Sequence, residues 1–168
     1  MVAKTGLIKF AHWIGVLSIS RASKQGEITM QPLSEIEQRI LAELDEFKFE
    51  DLPTFLNTFF FPKDPANNVK VYQDAVRRLF ALGLIYISIT KADGEKFVRA
   101  DADQAIREID QIPFNIKYDA VRGSWFDARR TGPPFGPSPS YIVVTDKGLL
   151  EGQKILTARG YRWWEPKK

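Results

Sequence analysis

Residues able to carry catalysis are scarce in this chain, which has no cysteine and a single histidine, His12. Thiol nucleophiles, disulfides and Cys-ligated zinc are thereby excluded, as is any metal site built on several histidines. A Ser-His-Asp relay would have to rest on His12, which sits in the apolar run Phe10 to Ser20 and reads as a packing or surface residue. Asp101, Asp103, Glu108 and Asp110 are crowded in the manner of a solvated, capped helix rather than a metal cluster. The expectation is a binding protein and not an enzyme, with no cofactor and no metal.

Hydrogen-bonding and charge chemistry remain. Val69, Tyr72, Val76, Leu79 and Phe80 recur at helical spacing, which leaves Asn67, Lys70, Gln73, Asp74, Arg77 and Arg78 on the opposite side. Asn and Gln can read an adenine edge in two hydrogen bonds, while Arg and Lys read guanine or neutralise phosphate. The formal charge is only +3, but its distribution is uneven. Residues 1–65 hold 7 basic and 9 acidic side chains, against 17 and 12 in residues 66–168. Lys91, Lys96 and Arg99, with Arg122, Arg129 and Arg130 further on, are candidate phosphate contacts. Trp125 and Phe126 lie among those cations, in a pattern that suits stacking on exposed bases. A ligand pocket near Tyr118, Trp125 and Tyr141 is a further expectation.

The elements that position these residues are legible in part. Ser34 and Glu37 form a capping box ahead of Ile36, Ile40, Leu41, Leu44 and Phe47, which predicts a helix from Ser34 to about Phe47. Glu35, Glu43, Asp45 and Glu46 fall off that stripe and make an acidic side that would repel phosphates. Asp51 caps a short second helix through Leu52, Phe55, Leu56, Phe59 and Phe60, ended by Pro62. Asp64 and Pro65 open a third, with its regular part near Asn67 and a glycine stop at Gly83. Leu84 to Thr90 reads as a strand, Asp93-Gly94 as a hairpin turn, and Glu95 to Arg99 as the return. Asp101 and Gln104 cap a helix through about Gln111, stopped by Pro113. A less regular stretch leads to the proline-rich loop 131–140. Tyr141 to Val144 is a strand, and Thr145 caps a helix with Leu149, Leu150, Ile155 and Leu156 as its apolar set and Gly160 as its stop. Gly148 and Gly152 lower that helix's propensity, so either packing must hold it or a close approach must require small residues.

Three helices, then Arg77-Arg-Leu-Phe-Ala-Leu-Gly-Leu-Ile85 and a hairpin, is an order that resembles a winged-helix domain. Tyr141-Ile-Val-Val-Thr-Asp-Lys-Gly148 resembles the last wing strand and carboxyl-terminal helix of bacterial MarR-like and PadR-like transcriptional regulators. The resemblance implies an α+β winged helix-turn-helix over residues 33–160, with a three-helix core, a small antiparallel sheet and an extended wing insertion at 91–139. Residues 1–31 are an apolar segment and linker, and 161–168 an aromatic tail. The resemblance further implies double-stranded DNA as partner, the third helix entering the major groove and the wing contacting phosphates. Asn67, Lys70, Gln73, Arg77 and Arg78 would then read or hold, and Lys91, Lys96, Arg99, Arg129 and Arg130 would hold. The alternative is a protein–protein interaction module, using the Pro133 to Pro139 loop and Trp163-Trp164. The apolar excess of Phe10, Trp13, Ile14, Leu17 and the tryptophan pair suggests a homodimer. Lys4 and Lys9 before an apolar run imitate a secretion signal, but His12 and Trp13 interrupt it and no Ala-x-Ala site follows closely. A cytoplasmic protein without a membrane span is expected.

Overall fold

The computed structural model describes residues 31–60, 63–90, 97–130 and 138–165. The chain divides into units 1–31 and 32–168, and the fold below is that of the second. It is α+β, with a small antiparallel sheet. Helix α1 (Glu35–Phe47) starts at the expected capping box: the Ser34 hydroxyl accepts from the Glu37 N–H, and the Glu37 carboxylate accepts from the Ser34 N–H at 2.6 Å. Lys48, with φ 64°, turns the chain into strand β1 (Phe49–Asp51). Asp51 caps α2 (Leu52–Phe59), and Asp64 caps α3 (Pro65–Ala81), which therefore starts two residues before Asn67. Gly83 follows at φ 67°, in the left-handed region that ends a helix without a Cβ penalty.

Strand β2 (Ile85–Thr90) pairs with β3 (Phe97–Arg99) on one side and β6 (Ser140–Val144) on the other, and β1 lies beyond β6. All three pairings are antiparallel. The expected neighbours, Leu84 to Thr90 and Tyr141 to Val144, are thus partners in one sheet, with Ile87 opposite Ile142. Period-two alternation sends Ile85, Ile87, Ile142 and Val144 toward the helices. There they join Ile40, Leu41 and Leu44 of α1, Leu52, Phe55 and Leu56 of α2, and Tyr72, Val76 and Leu79 of α3 in one core. Each such side chain contributes roughly 1.5–3 kcal/mol by leaving water.

The connection from β3 to β6 is more regular than its sequence suggested. Helix α4 (Ala102–Asp110), capped by Asp101, is followed by α5 (Ile112–Asn115) and a hairpin of β4 (Ile116–Asp119) and β5 (Ser124–Asp127). Pro113 does not stop the chain's helical course; it sits in the first turn of α5, where its missing N–H is harmless. Ala105, Ile109, Ile112, Ile116 and Trp125 reach the same core, with α4 and α5 against α3 and β5 against α2. Asn57 of α2 closes the last contact as a strand would: its amide donates to the Trp125 carbonyl at 3.1 Å, and its oxygen accepts the Trp125 N–H at 2.7 Å.

Helix α6 (Asp146–Arg159), capped by Thr145, packs on α1. Leu150 is exposed rather than part of its apolar face, and the buried positions are Gly148, Gly152 and Ile155. Both glycines are close-approach residues. A Cβ on Gly152 would stand 2.8 Å from the Leu41 carbonyl oxygen, and one on Gly148 would overlap the Leu84 carbonyl outright. The backbone of Leu84 has nowhere to go, since its carbonyl also accepts from the Thr145 N–H at 3.0 Å. Gly148→Ala is therefore expected to destabilise by at least the roughly 1–3 kcal/mol of core overpacking. Gly83→Ala has open space and should cost only about 1–2 kcal/mol for its left-handed backbone. Urea denaturation of the two variants checks the difference.

Candidate nucleic-acid interface

The eight of the ten expected cations and amides that are among the described residues do not form one surface. On α3 the amide of Gln73 donates to the carbonyls of Ile109 and Asp110 at 2.9 and 3.3 Å. Arg77 donates to the Asp110 carboxylate at 2.5 Å, and Arg78 to buried Glu37 at 2.7 Å and to the Pro32 carbonyl. Lys70 pairs with Asp74 at 2.9 Å, and Asn67, Lys70, Val71, Asp74 and Arg77 stay exposed along the helix. The side of α3 read from the sequence as open is covered in part, where Gln73 and Arg77 meet the end of α4. Sequence periodicity separates the two sides of a helix, but it cannot say that an insertion returns to cover the polar one.

Arg129 is likewise occupied. Its guanidinium reaches both oxygens of Asp127, at 3.1 and 2.8 Å, Glu108 at 2.8 Å and the Ser140 hydroxyl at 3.1 Å. Asp127 is 1% exposed, so this cation neutralises a carboxylate held away from water. Although burial opposes the charged form, the hydrogen bonds that Arg129 donates to Asp127 and Glu108 prevail and hold the guanidinium above its ordinary range. Arg130 pairs with Asp51. Trp125, expected to offer a stacking face, is buried, and Tyr118 rests on it with ring centroids 5.1 Å apart. Tyr141 belongs to the other sheet, so the three rings form no common pocket.

The acidic side of α1 is paired by the end of α6 and the tail, with Glu35 and Glu46 still exposed. Arg159 and the Trp163 indole N–H reach Glu35 at 2.5 and 2.9 Å, Arg162 reaches Glu43 at 2.9 Å, and Tyr161 donates to Glu46. Trp164 packs edge-on against Phe59 at 5.5 Å. Burial alone would raise the Glu35 carboxyl, yet the bonds from Arg159, Trp163 and Arg39 hold it below its ordinary value; at Glu43 burial prevails over Arg162 and the value rises. The tryptophan pair expected at a dimer or partner surface thus has contacts within the chain. Residues 1–30, Lys91, Lys96 and 131–137 lie outside the described residues.

Arg99 is different. It stands on the outer face of the sheet, its guanidinium 4.7 Å from the centroid of Tyr86. Among the described residues it has neither a carboxylate nor a hydrogen-bond partner. The same alternation that buries Ile87 and Ile142 puts Tyr86, Ser88, Tyr141 and Val143 on this outer face, with Phe49 from β1 and Phe97 and Arg99 from β3. Phe97 lies against Tyr141 at 4.4 Å, and Phe49 stands 5.9 Å from both. Together these side chains line a cleft of about 220 Å³. Phe97 remains 51% exposed. The period-two placement of Tyr86 and Tyr141 was a signal for this face, but β1, with three residues, was too short to reveal Phe49.

Two outcomes follow. Arg129→Ala should destabilise the fold by roughly 3–5 kcal/mol, because it leaves buried Asp127 uncompensated; thermal unfolding measures this, and a fully stable variant would contradict it. The carboxyl of Glu50 on β1 is raised above 4.5 by burial first and by neighbouring Asp51 second. A raised carboxyl favours the folded state below its unfolded value and loses that advantage as pH rises to the folded value. Glu50→Gln should therefore gain stability relative to the parent as pH climbs above about 4.5, with no gain below it. Denaturant titrations across acid to neutral pH check the sign. Comparison of the chain with protein-family models, with curated proteins and with solved structures finds no match in any of the three.

Proposed function

We propose that the chain is a winged-helix nucleic-acid-binding protein, a transcriptional regulator or DNA-associated accessory factor. In this reading its contact surface is the β2–β3 arm and the adjoining sheet face, not the length of α3. Three helices, an antiparallel β2–β6 pair, and a helix following β6 support the winged-helix reading, with the α4-to-β5 segment as an insertion in the wing. The observation that carries the function is the contrast in charge pairing. Gln73, Arg77 and Arg78 are held by the protein itself, whereas Arg99 on the arm keeps its donors for an anion.

Exposed Phe114 (67%) and Val121 (97%) on the insertion favour the second reading, a protein-interaction module within a larger complex. Anisotropy titrations of labelled mixed-sequence duplex DNA at two salt concentrations separate the two. Nucleic-acid binding predicts affinity that falls with salt, a slope reduced by roughly one unit in Arg99→Ala, and an unchanged sequence preference in Gln73→Ala. A parent protein without measurable affinity at low salt for the duplex or for its separated single strand removes this reading and leaves the protein-interaction module in its place.

A further inference from the structure

We infer that the cleft on the outer sheet face is a stacking site for a base of single-stranded nucleic acid, with Arg99 taking the adjoining phosphate. The inference rests on the nucleic-acid reading above and names the form of nucleic acid that the site accepts.

The cleft combines two features that select the occupant together. Its walls are ring faces and edges: Phe97, Tyr141 and Phe49 form a tilted cluster, and Tyr86 lies beneath Arg99. Among the described residues its cation is unneutralised. The one carboxylate in the same cross-strand row as Tyr141 is Asp51, and that is taken by Arg130. A guanidinium stacked over a ring keeps its in-plane N–H groups for a second partner, and these match phosphate. A purely apolar occupant would bury that charge without compensation.

Arg99 stands two residues from Phe97 on β3 and, through Ser88, two strand spacings from Tyr141, so the cation borders the ring cluster over a span of roughly 7–10 Å. A nucleotide covers that span from base to phosphate. A volume of about 220 Å³ suits one planar ring system rather than a folded element. In a duplex both faces of each base are already stacked, so an aromatic cleft meets a base only where the strand is single.

The test uses the full chain and three fluorescein-labelled probes of equal length: a single strand, its duplex, and an abasic strand that retains every phosphate. The single strand should bind tighter than the duplex. Removing the bases, or replacing Phe97 by Leu, which keeps apolar bulk but no ring, should each weaken binding by about tenfold or more. Arg99→Ala should weaken the single and abasic strands alike and flatten the salt dependence, and Arg99→Lys should recover part of that loss. Phe97→Tyr, which keeps the ring, should retain the parent affinity, and circular dichroism confirms that each variant folds.

Equal affinity for the single and abasic strands, with no effect of Phe97→Leu, overturns stacking while nucleic-acid binding stands. A duplex bound more tightly than its single strand, again without effect of Phe97→Leu, does the same. No affinity for any probe at low salt overturns both. An acidic, aromatic peptide that displaces the single strand and is lost in the same variants assigns the cleft to a protein ligand instead.

Discussion

Arg129 carries a positive charge into a place where it can be tolerated only if every partner arrives with it. Asp127 from β5, Glu108 from α4 and Ser140 from β6 all meet the one guanidinium. Removing two charges from water carries a penalty of several kcal/mol per ion, which good geometry and further hydrogen bonds must offset. The planar fork of arginine supplies that geometry, because its donors point to fixed directions. The cation therefore fastens the last turn of α4, the end of the β4–β5 hairpin and the entry to β6 as one cooperative cluster. With these ends joined, α4 and α5 cannot swing away from α3 without exposing Asp127 and the core residues Ile109 and Ile112.

That attachment moves the available chemistry across the molecule. Gln73 and Arg77 become anchors for the carboxyl-terminal end of α4, where a free carbonyl and the Asp110 carboxylate receive them. The helix that would read a groove in the proposed winged helix is thereby tied into the fold at Gln73, Arg77 and Arg78, while Asn67 and Lys70 stay exposed. The acidic side of α1 is used in the same way, by Arg159, Arg162 and the indole of Trp163. The outer sheet face, with no element of the described residues laid upon it, is left with rings and a cation. Its proposed role in nucleic-acid binding follows from what the rest of the fold has already consumed.

The amino-acid sequence by itself determined the local elements whose signals are short-range. The Ser34–Glu37 capping box, the caps at Asp51, Asp64, Asp101 and Thr145, and the glycine stops at Gly83 and Gly160 are each set by a few neighbouring residues, and all occur where expected. The β2–β6 pairing was legible because two β-branched runs had nothing else to satisfy their backbone groups. The glycines of α6 announced that either tertiary packing or close contact was needed, and the carbonyls of Leu84 and Leu41 are what they meet.

Only the tertiary structure decided which polar residues remain available. Gln73, Arg77, Arg129 and Lys70 are alike in the sequence, each a polar side chain beside an apolar pattern, yet one binds carbonyls, one a carboxylate of another helix, one a buried acid, and one its own helix. Strand β1 and the β4–β5 hairpin were equally illegible, since three or four residues carry too little period to announce themselves. Strand β1 depends on a distant partner, Val143 for Phe49, and the locally paired β4–β5 hairpin is placed by a distant one, the Asn57 side chain at Trp125. A hydrogen bond or ion pair between residues tens of positions apart depends on where the whole chain brings them. No local spacing encodes that, which is why the binding face had to be read from the fold.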